Sequence, residues 1–314
     1  MSHLTERKTP MTATPLPTAG SRRPWHGVLV ATALPFHDDL SVDHGRYADH
    51  CAWLVENGCD GVVPNGSLGE YQVLAPEERA RVVETAVNAV GGSRVMPGVA
   101  AYGSAEARRW AEQARDAGCQ AVMLLPPNAY RADERSVLAH YAAVAEAGVP
   151  VVAYNNPVDT NVDLVPELLA KLYREGSVHA VKEFSGDVRR AYRIAELAPA
   201  LDLLAGADDV LLELAVAGAK GWVAGYPNAL PAACVALYHA AVEGDLRTAG
   251  GLYRQLHPLL RWDSRVEFVQ AIKVSMDVVG RRGGPVRPPR VPLLPEQEAA
   301  VRAATERAVA DGLA

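Results

Sequence analysis

Eight short apolar runs, each separated from the next by a helix-like segment, constrain the fold of this chain more than any other feature. They occupy residues 28–33, 61–64, 95–99, 121–125, 151–154, 178–183, 203–205 and 221–224. Runs that are apolar throughout are typical of strands buried on both faces, and helical crossovers between such strands make a parallel sheet. Eight of these units close into a barrel. The sequence therefore predicts an α/β fold, a (β/α)₈ TIM barrel.

The chain divides into three predicted parts. Residues 1–24 are rich in Thr, Pro, Ser and Arg and contain no apolar segment, which predicts a disordered tail and no secretory signal. Residues 25–228 carry the eight strand–helix units. Residues 229–314 are expected to form a C-terminal helical extension, with an arginine-rich loop at 281–290 as a solvated linker. Its predicted helices are 231–242, 246–260, 266–279 and 295–310.

Charge and cysteine content limit the partners and the compartment. A net charge of −6 disfavours a nucleic-acid surface, which requires a basic patch. The four cysteines are scattered without paired spacing, which indicates a reducing compartment. No apolar run approaches the ~18 residues of a membrane span. We expect a cytoplasmic protein without nucleic-acid or membrane partners.

Lys182 closes the sixth predicted strand, where the chain reaches the barrel rim. A buried lysine usually has a partner or a function. One interpretation is a salt bridge to a neighbouring acid such as Glu183; the other is an amine nucleophile that forms a Schiff base with a carbonyl substrate. As a nucleophile it needs a pKa near 7 to 8, which requires roughly 4 kcal/mol of destabilisation of the ammonium relative to its reference value.

Other polar residues follow the strand ends, which is where barrel enzymes build their active sites. Tyr154 is predicted to transfer protons to and from the carbinolamine, and Ser67 to orient its phenol. The backbone N–H groups of Gly66 and Ser67 are predicted to hold a substrate carboxylate. The alternatives are a core tyrosine satisfied at the rim and a serine in a turn or cap.

Two acidic segments invite other interpretations. Residues 37–44 contain two histidines and three aspartates, but they lie in one loop and a helix start, where Asp and Ser are expected as N-caps. We therefore predict no metal site and no cofactor. Asp208 and Asp209 are likewise predicted to cap the helix that follows them.

Three linked motifs in this order resemble the dihydrodipicolinate synthase / N-acetylneuraminate lyase family. They are GSLGE at 66–70, YNNP at 154–157 and VKE at 181–183. The segments TALPF at 32–36 and GADD at 206–209 add to the likeness, which spans about residues 27–310. The resemblance implies a (β/α)₈ barrel with a C-terminal helical extension, usually a tetramer, and chemistry of the class I aldolase type.

The resemblance also implies roles for individual residues. Lys182 resembles the Schiff-base lysine, Tyr154 the general acid/base, and Ser67 the proton relay and carboxylate contact. The remaining predicted substrate contacts are Thr32, Gly66, Leu68, Tyr130, Asn156, Asp159 and Val223.

Three departures from the family pattern bear on the substrate. Leu68 replaces a hydroxyl residue, which makes that corner of the site less polar. Asp159 replaces the arginine with which the synthases grip the carboxylate of aspartate semialdehyde. The tyrosine that those synthases place across a subunit interface would fall at residues 128–129, one step from Tyr130. The proton relay is therefore altered, and condensation with aspartate semialdehyde is not expected.

A second likeness lies in the C-terminal half. The segments AGAKGWVAG at 217–225, VQAIK at 269–273 and RPPR at 287–290 resemble the branch that contains pyrroline-4-hydroxy-2-carboxylate deaminases. This branch implies a cyclic imino acid substrate, release of ammonia and a 2-oxo acid semialdehyde product, with Asn156 or Asp159 facing the substrate's hydroxyl or nitrogen.

Several alternatives stay open. Within the same chemistry they are a true 4-hydroxy-tetrahydrodipicolinate synthase and a pyruvate-dependent aldolase or dehydratase. Outside it they are a non-catalytic sensor of small acids, which Leu68 and Asp159 favour and Lys182 disfavours, and a metal-dependent barrel enzyme, which the lack of a ligand cluster at the strand ends disfavours. The expected partners are a small 2-oxo or 2-imino acid and further copies of the chain, as a tetramer or dimer.

Overall fold

A computed structural model describes residues 22–314, and its strands form one parallel sheet. The strand order is β2-β1-β7-β6-β5-β4-β3. The strands are β1 (Gly27–Ala31), β2 (Gly61–Val63), β3 (Val122–Leu124), β4 (Val151–Asn155), β5 (Ala180–Glu183), β6 (Asp202–Ala205) and β7 (Gly221–Ala224). They are almost entirely buried, as their continuous apolar character predicts.

Residues 95–99 close the sheet into a barrel by joining its two edge strands, β2 and β3. Met96 N donates to Val62 O over 3.0 Å, and Val99 N donates to Met123 O over 2.9 Å. The predicted strand at 95–99 is reduced to two isolated parallel bridges, because Pro97 has no N–H to add to the ladder. The predicted (β/α)₈ barrel is confirmed, with the third of its eight strands in this shortened form.

Helices follow the strands around the barrel. They are α1 (His44–Glu56), α2 (Pro76–Val90), α3 (Ser104–Asp116), α4 (Glu134–Ala145), the short α5 (Pro157–Thr160), α6 (Pro166–Arg174), α7 (Arg189–Leu197) and α8 (Leu211–Val216). Asp43 caps α1 by accepting a hydrogen bond from Arg46 N, so this aspartate is the predicted cap. Ser104 is the first residue of α3, and its hydroxyl contacts His140 Nδ1 over 2.9 Å.

The C-terminal extension consists of four helices, as predicted. They are α9 (Pro231–Val242), α10 (Leu246–Leu260), α11 (Phe268–Val278) and α12 (Pro295–Ala310). A buried hydrogen bond of 2.9 Å between the Ser275 and Thr305 hydroxyls joins α11 to α12. The extension therefore has its own polar contacts in addition to its packing against the barrel.

The loop at 281–290 is docked on the barrel, so the prediction of a solvated linker was wrong. Arg287 donates to both carboxylate oxygens of Glu78 and to the carbonyl oxygens of Leu40 and Val73. A planar guanidinium presents five donors, and here they are engaged by groups from two separate segments of the barrel. Composition identified the loop as polar, but these acceptors come together only in the folded chain.

The predicted tail extends over residues 1–24, of which residues 1–21 lie outside the described part of the chain. At its described end, Arg23 and His26 both contact one oxygen of Asp202, at 3.0 and 2.8 Å. Trp25 Nε1 donates to the same oxygen over 2.8 Å. Asp202 begins β6, so these contacts attach the segment before β1 to the N-terminal end of the barrel. Among residues 22–314, no helix combines the length and the apolar character needed to cross a bilayer.

Candidate active site

Lys182 lies on β5 directly beside Tyr154 on β4, because the two residues are partners in the parallel register. Its Nζ is 4.2 Å from the centroid of the Tyr154 ring and 5.6 Å from that of Phe184. The side chain is 5% exposed. Among residues 22–314, no hydrogen-bond acceptor or ion-pair partner contacts this Nζ. The amine is thus buried against two aromatic rings without a direct partner.

The salt bridge between Lys182 and Glu183 is not formed. Glu183 accepts hydrogen bonds from Asn155 Nδ2 over 3.0 Å and from Ser185 N over 2.6 Å. Successive residues of a strand point to opposite faces, so the Glu183 carboxylate is directed away from its neighbour. Of the two interpretations of Lys182, a salt bridge to Glu183 and a free amine, the structure agrees with the free amine.

The electrostatic environment of Lys182 favours the neutral amine. Burial lowers its pKa, because the charged ammonium loses hydration that the site does not replace. Asp263 and, more weakly, Asp208 act in the opposite direction, and the net pKa remains below its ordinary value. A neutral amine carries the lone pair that attacks a carbonyl carbon.

The Tyr154 hydroxyl is held by Asn156. Asn156 Nδ2 donates to Tyr154 Oη over 3.3 Å and to Asp159 Oδ2 over 2.8 Å. Burial raises the pKa of Tyr154, so the group is a neutral phenol that can donate and accept a proton. The structure therefore brings four of the predicted residues into one connected group: Lys182, Tyr154, Asn156 and Asp159.

The loop after β2 presents unpaired backbone N–H groups. Asn65 has a positive φ of 56°, and Glu70 has one of 54°. The turn is closed by Glu70 N, which donates to Ser67 O over 3.1 Å. Within the described residues, no acceptor takes the N–H groups of Gly66 and Ser67. Successive free N–H groups in such a turn form a concave site for an anion, as predicted for a substrate carboxylate.

The Ser67 side chain does not contact the Tyr154 phenol in this structure. Asn156 occupies that hydrogen bond instead. Catalytic hydrogen bonds are often long or absent before substrate binds, so the relay through Ser67 stays a prediction.

The remaining predicted contacts differ in accessibility. Leu68 and Val223 are buried, and Val223 lies on β7 opposite Leu29 of β1. The Thr32 hydroxyl is engaged by the Tyr47 hydroxyl at 2.8 Å, in the interface with α1. Tyr130 is 58% exposed, in the turn after β3. The structure gives Thr32 a packing partner and leaves Tyr130 on the surface of this chain.

Asp208 has a different role from the predicted helix cap, and that prediction was wrong. Its carboxylate accepts from Trp222 Nε1 over 2.9 Å, from Gly225 N over 3.0 Å and from Tyr226 N over 2.9 Å. All three donors belong to β7 or to the residues just after it. Asp208 is fully buried and joins the C-terminal ends of β6 and β7.

Asp263 is a site residue that sequence reasoning missed. It lies in the connection between α10 and α11, and its Oδ2 accepts from Asp208 N over 3.3 Å. Burial raises the pKa of Asp263 to about 6, although the nearby charge of Lys182 lowers it. Nothing in the local sequence marks this aspartate, because its proximity to Lys182 depends on how the extension packs on the barrel.

A separate cavity of about 550 Å³ lies between α4 and α6. It is lined by charged residues such as Arg131, Glu134 and Lys171, and it includes none of the predicted site residues. We assign the candidate site to the Lys182 group, because the convergence of an amine, a phenol and free backbone donors indicates chemistry and cavity size does not.

Comparison with known proteins identifies the family of this chain. The model of the Dihydrodipicolinate synthetase family matches residues 24–308. A 4-hydroxy-tetrahydrodipicolinate synthase of Methanothrix thermoacetophila is 34% identical, over 88% of this chain and 95% of that protein. A Halobacterium salinarum protein named an uncharacterised DapA-like lyase is 33% identical, over 93% of this chain and 97% of its own.

A solved structure shows the same barrel. YagE, an Escherichia coli K12 prophage protein of the dihydrodipicolinic acid synthase family, was solved in complex with pyruvate. It superposes with a TM-score of 0.84 at 25% identity, covering 90% of this chain and 98% of its own. Because the family match extends over nearly all of the described residues, the chain belongs to the dihydrodipicolinate synthetase family, whose members are lyases that act through a lysine Schiff base.

Proposed function

We propose that this protein is a lyase that forms a Schiff base between Lys182 and a small 2-oxo or 2-imino acid. The observation that carries the proposal is the buried, unpaired Nζ of Lys182 at 4.2 Å from the Tyr154 ring. Burial removes the hydration that keeps an ammonium charged, and among residues 22–314 no carboxylate lies within ion-pair distance of this Nζ. It is therefore suited to attack a carbonyl or imine carbon.

The free N–H groups of Gly66 and Ser67 bind the substrate carboxylate and direct carbon 2 towards Lys182. The Nζ lone pair forms a bond to this carbon, and the carbonyl π electrons move to oxygen. Tyr154 passes a proton to that oxygen, which leaves as water while the C=N bond forms. From a neutral amine and a 2-oxo acid, iminium formation consumes one proton and releases one water. From a cyclic 2-imino acid it also consumes one proton, but the bond between carbon 2 and the ring nitrogen breaks instead, and the ring opens to a primary amine. The iminium then accepts electrons from a bond broken at carbon 3.

The exposed carboxylate of Asp159 supports a substrate that has no second carboxylate. Asp159 is exposed and held by Asn156 Nδ2, which also donates to the Tyr154 hydroxyl, so the charge of Asp159 lies close to that hydroxyl. Such a charge repels an anionic second group and favours a hydroxyl or a nitrogen. Together with the apolar Leu68, this supports a reaction like that of the pyrroline-4-hydroxy-2-carboxylate deaminases, with ammonia as a product.

The second candidate is 4-hydroxy-tetrahydrodipicolinate synthase activity, which the name of the Methanothrix thermoacetophila relative favours. Pyruvate-dependent aldol cleavage or dehydration uses the same iminium and is the third. A non-catalytic sensor would keep the acid-binding loop without turnover. Measuring turnover of the substrate of each candidate reaction in turn distinguishes these candidates.

Reductive trapping tests the proposal. The protein is incubated with borohydride and pyruvate, then with a panel of 2-oxo acids and cyclic imino acids, and the adducts are located by intact mass and peptide mapping. We expect a reduced adduct on Lys182, its loss in Lys182→Ala, and ammonia release with a hydroxylated cyclic imino acid. Absence of any adduct, or an adduct elsewhere, would reject the Schiff-base assignment. An adduct on Lys182 without turnover of any acid would support the sensor.

We further propose a cytoplasmic homo-oligomer, a tetramer or dimer. Proteins of this family usually form oligomers, and Tyr130, Tyr102 and Val158 leave apolar surface exposed around the loops at the barrel mouth. Light scattering after size-exclusion chromatography measures the mass directly. A single species of 33.5 kDa at micromolar concentration would contradict the oligomer.

A further inference from the structure

Asp263 reaches the barrel mouth from outside the barrel. It follows α10, in the helical extension, yet its Oδ2 is hydrogen-bonded to Asp208 N after β6. It also lies against Gly225, after β7: a Cβ at position 225 would be 2.6 Å from Asp263 Oδ1. The carboxylate therefore fills the space that a side chain at position 225 would occupy.

Lys182 occupies a similar space one strand away. A Cβ at Gly206, after β6, would lie 3.0 Å from Lys182 Cγ and 2.5 Å from Glu183 O. Strands β6 and β7 are hydrogen-bonded neighbours, so the two glycines stand at adjacent strand ends. Each of these strand ends therefore has a glycine where a charged side chain passes: Lys182 passes Gly206, and Asp263 passes Gly225.

The other polar groups around Lys182 and Asp263 come from three places. Tyr154 lies on β4, Asp208 follows β6 and Tyr226 follows β7. The further acidic group that acts on Asp263 is Asp209, whose carboxylate is engaged by the Ser264 hydroxyl at 2.7 Å. Among residues 22–314, Lys182 is the only cationic side chain whose charge affects the pKa of Asp263.

The two carboxylates are not equivalent. Asp208 accepts three N–H donors, whereas Asp263 accepts only the Asp208 N–H, and its Oδ1 has no hydrogen-bond partner among the described residues. A carboxylate oxygen left free beside a buried amine has a less neutralised charge than one that accepts several donors. Of the two carboxylates, Asp263 is therefore the one whose negative charge is less neutralised by hydrogen-bond donors.

Iminium formation places a positive charge on a nitrogen whose charged form is disfavoured by burial. We propose that Asp263 is a positioning residue that supplies the negative counter-charge for the protonated Schiff base on Lys182. This role rests on the proposed function, since it requires that the Schiff base forms. It makes the helical extension part of the active site, because the barrel strands alone do not provide this carboxylate.

The proposed counter-charge has a definite effect on pH dependence. Burial raises the pKa values of both aspartates, and mutual repulsion adds to that of Asp208, so the two titrate as a unit. Removing negative charge near Lys182 disfavours both the ammonium and the iminium. The pH range in which a free amine attacks and a protonated iminium persists therefore moves to lower pH.

The test measures the rate of reductive trapping of pyruvate by cyanoborohydride, which reduces the protonated iminium, from pH 5 to pH 9. It compares the wild type, Asp263→Asn, and the double variant Asp208→Asn/Asp263→Asn. We expect the optimum to move to lower pH in Asp263→Asn and further in the double variant, by about one pH unit, a tenfold change in proton concentration. Asp38→Asn removes one negative charge at the surface, where Asp38 pairs with Arg282, and should leave the optimum in place.

Three results would overturn the inference. In the first, the wild type traps pyruvate on Lys182 but the Asp263→Asn optimum coincides with that of the wild type. In the second, only the double variant shifts, which would assign the counter-charge to Asp208. In the third, Asp38→Asn shifts the optimum as much as Asp263→Asn does. Failure of the wild type to trap pyruvate or any other acid of the panel at any pH would instead reject the proposed function, and the counter-charge with it. Circular dichroism establishes whether each variant is folded. If the double variant is not folded, the single variant Asp263→Asn decides the test by itself.

Discussion

Lys273 Nζ and Glu70 Oε1 form an ion pair of 2.7 Å in the interior, with the two side chains 2% and 0% exposed. Lys273 belongs to α11 of the extension, and Glu70 ends the 66–70 loop that presents the free backbone N–H groups. Glu70 Oε2 also accepts from Arg287 N over 3.0 Å, and Lys273 Nζ donates to Pro285 O over 2.7 Å. The helical extension thus holds the loop that is proposed to bind the substrate carboxylate.

Lys273→Met leaves the Glu70 carboxylate buried without its cation. Breaking one side of a buried ion pair destabilises a protein by about 3 to 5 kcal/mol, because the remaining charge is uncompensated. We expect a loss of this size in the free energy of unfolding, measured by denaturant titration, and a higher KM because the loop loses its support. The control is Lys220→Met, at an exposed lysine, which should change stability by less than about 0.5 kcal/mol. Equal stability of the two variants would contradict the role of the pair.

Tyr154→Phe removes the phenol and keeps the ring beside Lys182. We expect turnover to fall by about 10²- to 10⁴-fold, the usual contribution of a positioned acid or base, while the Lys182 adduct still forms on longer incubation. Steady-state kinetics and trapping yield measure the two effects separately. Tyr141→Phe also removes one buried hydroxyl, which donates to Leu124 O over 2.9 Å, and should lower stability by about 1 kcal/mol without reducing turnover. Similar kinetics of the two variants would argue against proton transfer by Tyr154.

Asp159→Asn removes the exposed charge beside the Tyr154 hydroxyl. We expect kcat/KM for substrates with a second carboxylate to rise about two- to fivefold, the effect of one partly screened charge, relative to substrates with a single carboxylate. Competition between the two substrate classes gives this ratio directly. Asp163→Asn removes a charge that pairs with Arg190 on the outer surface, and its ratio should match the wild type. An unchanged ratio in Asp159→Asn would show that this residue does not select the substrate.

Asp202 should make stability depend on pH in the acidic range. Burial alone would raise its pKa, but hydrogen bonds from His26 and Trp25 and the charge of Arg23 lower it below its usual value. A lowered folded-state pKa gives stability that is present above the unfolded-state value of about 3.9 and is lost as pH falls through the folded-state value.

We therefore expect Asp202→Asn to have a lower Tm than the wild type at pH 7, with the difference shrinking between about pH 4 and pH 2. Thermal unfolding across that range measures the difference. Asp38→Asn, at an exposed aspartate that pairs with Arg282, should show little difference at any pH. A constant difference for Asp202→Asn down to pH 2 would show that its charge does not matter.

Local patterns were sufficient to predict the barrel and the pair of residues at the centre of the candidate site. Continuous apolar runs identified the strands, because a parallel strand buried on both faces has no polar face to interrupt it. The same runs placed Tyr154 and Lys182 at strand ends, and the parallel register made them neighbours. Strand period and barrel topology together determine this pair, so little tertiary information was needed.

Contacts between distant segments decided the rest. The acidic pair after β6 matched a helix cap locally, but the donors that bind Asp208 come from Trp222, Gly225 and Tyr226. The loop at 281–290 matched a linker in composition, but Arg287 found Glu78 and two carbonyl groups on the barrel. A side chain with several possible partners takes those that packing brings within reach.

The sequence by itself determined the strand pattern, the barrel, the lysine and the tyrosine, because each depends on residues close in the chain or on a repeated period. Only the tertiary structure decided that the extension reaches the candidate site, through Asp263 near Lys182 and Lys273 beside Glu70. The physical reason is that buried charges are tolerated where opposite charges or donors surround them, and those partners are assembled by the fold.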